Sequence, residues 1–193
     1  MEELHVDWDK RIILPEEGSR SIRRLYLRKY DPKSKSLKDL PSYPRLHSLR
    51  LGVSPIKSFD GIERFKELKY GEFGYLTKLE DLRGLDKLSL DTLEFETCKN
   101  VRDWMPLTTL PNLRLLGLFS CGELENLKFI ERMPALKRFG FVKTNIKNGD
   151  LTPLIRLDSA GFLPKRHYSH TPEELSAAIE ERQKKEKEKR SSH

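Results

Sequence analysis

The stretch "LRLLGLFSCGELENLKFIERM", residues 113–133, changes its rhythm halfway. Leu113, Leu116 and Leu118 step by three and then two, whereas Leu124, Leu127, Ile130 and Met133 step by three throughout. A step of two is the period of a strand with one face buried. Repeated steps of three suit a helical or 3₁₀ turn that packs one stripe inward. The spacing therefore predicts a short strand followed by a short turn, with Cys121 at the junction.

The same rhythm recurs along the chain. Leu90, Leu93 and Phe95 are followed by Val101, Trp104, Leu107 and Leu110. Leu68, Gly71 and Phe73 precede Leu79, Leu82, Leu85 and Leu88. Leu46, Leu49 and Leu51 precede Ile56, Phe59, Ile62 and Phe65. Leu136, Phe139 and Phe141 open a later copy; Ile22, Leu25 and Leu27 open the earliest, with a longer loop behind them. The six copies start at 22, 46, 68, 90, 113 and 136. A fixed period of this length signals a solenoid, in which no copy buries its apolar side alone and stacked copies share one core. At about 1.5–3 kcal/mol per large side chain, the stacked rows supply burial enough to oppose chain entropy.

The pattern resembles the leucine-rich repeat superfamily, whose unit is L-x-x-L-x-L-x-x-N/C-x-L. "LHSLRLGVSPI" (46–56) places Ser54 at the asparagine position, and "LRLLGLFSCGEL" (113–124) places Cys121 there. "LDTLEFETCKNV" (90–101) has Cys98, with one extra residue, and "LKRFGFVKTNI" (136–146) has Thr144. The 22-residue spacing and turns such as "FDGIERF" are similar to the short bacterial internalin-like or phosphatase-regulator-like subclass. The resemblance implies an α/β solenoid: a right-handed coil with a parallel sheet on its concave face, helical or 3₁₀ turns on its convex face and a C-terminal helix. It specifies architecture and leaves activity open. Small side chains at Ser54, Cys98, Cys121 and Thr144 are expected to bond neighbouring loop backbone and stack as a ladder, which Tyr30 and Leu76 interrupt. Gly71 removes a core side chain, so "YGEFGY" (70–75) is expected to be the least regular strand.

The expected organisation is an N-terminal cap over 1–21, repeats over 22–157, and a C-terminal cap with a charged helix or tail over 158–193. Leu4, Val6 and Trp8 alternate, and Ile12, Ile13 and Leu14 follow, which suits a strand or hairpin over the first copy. Leu151, Leu154, Leu157, Phe162 and Leu163 are expected to close the other end. In "HTPEEL", Thr171 caps a helix, Pro172 fits its first turn and Glu174 completes a capping box. Leu175 and Ile179 give that helix an inward stripe. "EERQKKEKEKRSSH" has no apolar residue and reads as a solvated extension or a frayed tail.

Composition narrows the function classes. No apolar run is long enough to span a membrane, and "MEELHVDWDK" lacks the apolar core of a secretory signal. Two cysteines are too few for a disulfide framework or a zinc site, which together favours a reducing, cytoplasmic setting. His167 and His170 form an H-x-x-H pair without a third ligand at suitable spacing, so no metal is expected. No nucleophile, base and orienter stand at a recognised spacing, and "GELENLKF" lacks the lysine and second glycine of a phosphate loop. Neither an enzyme nor a cofactor is expected.

In such a solenoid the non-leucine strand positions line the concave face. They are Arg23, Arg24, Tyr26, Arg28 and Lys29; His47, Ser48, Arg50 and Val53; Lys69, Tyr70, Glu72 and Tyr75. Asp91, Thr92, Glu94 and Glu96 follow, then Arg114, Leu115, Phe119 and Ser120, then Lys137, Arg138, Val142 and Lys143. Basic residues outnumber acidic ones here, and the whole chain carries +7, so positive charge concentrates on this face. Tyrosines, Leu115 and Phe119 among arginines have the composition of protein-binding hot spots. A charged sheet face can simply be solvated, but leucine and phenylalanine gain nothing by facing water. The expected function is a non-catalytic protein-binding module, a monomer or part of a hetero-complex, gripping an acidic or mixed-charge protein. A bacterial immunity protein neutralising a cytosolic toxin is one form of it, and a regulatory adaptor is another. An RNA- or phosphate-binding face is the competing reading; the acidic fourth strand opposes a continuous nucleic-acid track.

Overall fold

The computed structural model describes residues 3–7, 14 and 21–191. Eight strands form one sheet, each parallel to the next in chain order: β1 (Glu3–Asp7), β2 (Arg24–Arg28), β3 (Ser48–Gly52), β4 (Tyr70–Gly74), β5 (Thr92–Glu96), β6 (Leu115–Leu124), β7 (Arg138–Ile146) and β8 (Ser159–Phe162). Parallel neighbours require a crossover after every strand. Turns without a helix link β2 to β3, and from β3 onward each crossover carries one short helical turn: 3₁₀ at Ile62–Arg64, Leu85–Lys87, Met105–Thr109 and Thr152–Arg156, and α1 at Lys128–Glu131. Gly61 opens the first of these with φ of 96°, and a Cβ there would sit 2.8 Å from the Lys38 backbone nitrogen.

The three-then-two spacing appears as two buried rows across the sheet. One runs Leu25, Leu49, Gly71, Leu93, Leu116 and Phe139 to the half-buried Ala160; the other runs Leu27, Leu51, Phe73, Phe95, Leu118, Phe141 and Phe162. The turns bury the second set, including Phe59, Ile62, Leu85, Leu107 and Ile130. An aromatic chain joins sheet to turns: Phe59 lies 4.5 Å from Phe73, Phe73 5.6 Å from Phe95, and Phe95 5.2 Å from Trp104. Two guanidiniums stitch neighbouring coils. Arg64 donates to the Leu37 and Leu40 carbonyls, both at 2.9 Å, and Arg156 donates to Ile130 and Met133.

The polar ladder is built as side chains reaching back one coil. Ser54 Oγ donates to the Tyr30 carbonyl at 2.5 Å, Cys98 Sγ to Phe73 at 3.4 Å, and Cys121 Sγ to Phe95 at 3.5 Å. Thr144 Oγ1 donates to Leu118 at 2.7 Å and accepts the Cys121 N–H at 3.0 Å. The residue before each ladder position is left-handed: Lys29, Val53, Tyr75, Thr97, Ser120 and Lys143 have φ between 53° and 58°. Four of these carry a compensating backbone bond, since Lys29, Val53, Tyr75 and Thr97 each donate an N–H to the next strand at 2.7–2.9 Å.

Several expectations change. The sheet holds two strands beyond the six copies. The segment before the first copy supplies β1 as a parallel strand paired with β2, with Val6 buried; Trp8, Ile12 and Ile13 lie outside the described residues. Leu157, Ala160 and Phe162 repeat the three-then-two spacing and form β8. The strand holding Gly71 is as regular as its neighbours, paired in register on both sides. A Cβ at Gly71 would lie 2.9 Å from both Leu93 Cδ1 and the Phe73 ring, so the larger neighbours already fill that place. Leu163 does not close the core, being 56% exposed. The far end is sealed by α2 (Pro172–Ser191), whose Leu175 and Ile179 are buried. Its capping box is reciprocal: Thr171 N–H donates to Glu174 Oε2 at 2.8 Å, and Glu174 N–H to Thr171 Oγ1 at 3.2 Å. The helix continues through the charged run as a solvated extension. No helix among the described residues is long and apolar enough to cross a membrane.

Candidate functional site

One face of the sheet packs the core, and the other is built from the alternate positions in three rows. The first row is Glu3, Arg24, Ser48, Tyr70, Thr92, Leu115, Arg138 and Ser159. The central row is His5, Tyr26, Arg50, Glu72, Glu94, Gly117, Gly140 and Gly161. The third is Asp7, Arg28, Gly52, Gly74, Glu96, Phe119 and Val142. The expected binding residues Arg24, Tyr26, Arg28, Arg50, Tyr70, Glu72, Glu94, Glu96, Leu115, Phe119 and Arg138 all stand in these rows.

The others stand at the borders. Arg23, His47, Lys69, Asp91, Arg114 and Lys137 precede their strands and share the parity of the core residues. They form the leading edge, where each residue from Arg23 to Arg114 accepts two backbone N–H groups from the next coil. Lys69 Nζ turns to the Ser89 carbonyl at 2.9 Å and His47 to the Arg45 carbonyl at 3.0 Å, away from the rows. Tyr75 and Lys143 occupy the left-handed turns at the opposite edge.

β1 changes the electrostatics. Glu3 lies 3.2 Å from Arg24, and Asp7 lies 3.3 Å from Arg28 and 3.4 Å from Lys29. Arg50 pairs with Glu72 at 2.6 Å while its guanidinium stands 5.7 Å from the Tyr26 ring centroid. The basic N-terminal end is thus internally neutralised. Beside it, Gly52 and Gly74 floor a hollow of about 440 Å³ walled by Arg28, Val53, Tyr75 and Glu96. The Tyr75 hydroxyl donates to Glu96 Oε1 at 3.1 Å, and that hydrogen bond holds the phenol above its ordinary range. At the other end the cations are uncompensated. Among the described residues, none of Arg114, Lys137, Arg138 and Lys143 has a carboxylate within 4.0 Å.

Glu94 sits between the two halves. Burial, and then the neighbouring Glu72 carboxylate, push its pKa up. A carboxyl whose folded pKa is raised favours folding below the unfolded value and loses that contribution as pH rises through the folded value. Glu94→Gln is therefore expected to raise the melting temperature at pH 7 by about 2 °C, with the gain vanishing below about pH 4. Calorimetry at the two pH values checks this; an equal gain at both would separate it from ionisation.

The histidine pair serves the end of the stack. The His167 ring nitrogen lies 2.9 Å from the Ile146 carbonyl, and the His170 ring 2.8 Å from Ser169 Oγ. No group of three or more metal-ligating side chains occurs among the described residues. A second groove, about 470 Å³, runs beside the turns between Trp104, Met105, Glu123, Phe129 and Arg132. Sequence spacing gave no signal for it, because it lies between two turns rather than within one.

Parallel one-turn coils with one shared core and a side-chain ladder define a leucine-rich-repeat solenoid. Among solved structures, an internalin, InlF, from Listeria monocytogenes is similar, with a TM-score of 0.51 and 19% sequence identity. The match covers 84% of this chain and 54% of that one, so this chain spans about half the internalin's length. That likeness concerns the fold. No protein-family model matches the sequence. No curated protein matches it either.

Proposed function

We propose that this protein is a non-catalytic protein-binding module that grips its partner with the exposed sheet face. The observation that carries the reading is the pairing of half-buried Leu115 and Phe119 with uncompensated Arg138 on one open surface. Apolar side chains on a sheet face gain by being covered, and arginine beside them is the usual company of interface hot spots. The buried, free thiols of Cys98 and Cys121 suit a reducing cytoplasmic setting. In its concrete form the module occludes, as an immunity-type protein covering the active site of a cytosolic toxin would; a regulatory adaptor would use the same surface. The phosphate- or RNA-binding alternative has less support, since Glu3, Asp7 and Glu72 pair the arginines of β2 and β3.

A partner captured from cell lysate by the folded chain is expected to be lost from the Phe119→Ala, Arg138→Glu double variant. It should be kept by Lys87→Glu, which alters a 3₁₀ turn on the far side. Capture unchanged in the double variant would move the site off this face.

A further inference from the structure

Gly117, Gly140 and Gly161 stand in register on β6, β7 and β8, in the central row of the exposed face. Three side chains are missing in succession, so a lane of bare backbone crosses three strands, about 10 Å at the usual strand spacing. Its occupancy is uneven. The Phe119 ring folds inward over the first two glycines: an added Cβ would meet Phe119 Cε2 at 2.6 Å over Gly117, and the ring again at 3.5 Å over Gly140. Over Gly161 nothing lies within 4 Å. Glu94 closes the inner end, its Cγ 3.2 Å from the same Gly117 position. Leu115 and Val142 flank the lane, and Leu163 follows β8 in an exposed position.

Resting on the protein-binding reading above, we propose that the open end of this lane receives one aromatic side chain from an acidic peptide segment of the partner, laid over Gly161 against the edge of the Phe119 ring. A planar ring suits a floor without side chains, and contact with the Phe119 ring adds an aromatic pair. The surrounding charge selects the flanking residues. Arg138 borders the lane, with Arg114 and Lys137 on the leading edge and Lys143 at the opposite turn. Against these four stand the exposed Asp158 before β8 and, on the adjoining β5 coil, Asp91, Glu94 and Glu96, the last already bonded by the Tyr75 hydroxyl. Carboxylates on either side of the ring meet guanidinium and ammonium groups, whereas a phosphate backbone continuing along the central row would run onto Glu94 and Glu72.

Selection of a random nonapeptide display library on the full chain tests the lane. The expected consensus is an aromatic residue flanked by aspartate or glutamate. The corresponding synthetic peptide should bind at least tenfold more weakly to Gly161→Leu and to Arg138→Glu, and equally well to Lys87→Glu, on a 3₁₀ turn away from this face. Gly161→Leu fills the floor where an added Cβ meets nothing, and Arg138→Glu reads the same lane should that variant misfold. A consensus lacking the aromatic or the acids, no selected binder, or tighter binding of an oligouridylate at the same positions overturns the proposal. Peptides weakened by Arg28→Glu and unaffected by Gly161→Leu overturn the lane while retaining the exposed face as the binding surface. Peptides indifferent to Gly161→Leu, Arg138→Glu and Arg28→Glu alike sink both.

Discussion

Phe95→Ala is expected to destabilise the protein by about 3–5 kcal/mol, enough to leave a small solenoid largely unfolded at 37 °C. The side chain is fully buried and is the junction of the aromatic chain, touching Phe73, Phe59 and Trp104 at centroid distances of 5.6, 6.3 and 5.2 Å. Truncation leaves a void between the sheet and two turns. Phe59 and Trp104 come from different coils, so no single turn can settle into it. Urea denaturation followed by circular dichroism gives the magnitude. A loss below about 1 kcal/mol would mean that the coils slide together and that the chain of rings carries little of the packing.

Cys98→Asp is expected to lose a similar amount at pH 7, about 3–5 kcal/mol, while Cys98→Ser stays within about 1 kcal/mol of the parent. The thiol is fully buried and faces the Phe73 and Glu96 carbonyl oxygens at 3.4 and 3.5 Å. It is held in its protonated form by the hydrogen bond with Cys121 and by burial. A serine hydroxyl can donate to the same carbonyl, as Ser54 does to Tyr30. A carboxylate can donate nothing and meets two oxygens of like polarity. Its pKa must rise in the folded state, so the deficit should shrink as pH falls towards about 4. Equal melting of the two variants at pH 7 would show that the ladder position admits water.

Much of the fold was legible because burial here follows a strict linear rhythm. Leu25 and Leu27, Leu49 and Leu51, Leu116 and Leu118 are read from spacing alone, and each pair takes its place in the two buried rows. The end coils were harder. Ala160 occupies a leucine place, so β8 lacks the bulk that marks a copy, although its Phe162 stacks on Phe141 with ring centroids 5.2 Å apart. Gly71 looked like a defect only because the Phe73 ring, which bends over it, belongs to the next inward position of the same strand. The exposed face was legible where strand alternation holds and misleading one residue earlier. Arg23, His47 and Lys69 are polar like the face residues but carry the parity of the core, and the leading edge lets them reach solvent without joining the rows. The neutralisation of Arg24 and Arg28 could not be read from the repeats, since Glu3 and Asp7 are 21 residues away and meet them only through the pairing of β1 with β2.

Because every strand pairs only with its neighbours in chain order, the molecule is modular in a literal sense. Its contact surface is measured out in whole coils, each adding one strip about 4.8 Å wide and up to three outward side chains. Lengthening or shortening the chain by one coil would change how much of a partner is spanned without disturbing the strips already in place, so reach and local chemistry are separately adjustable.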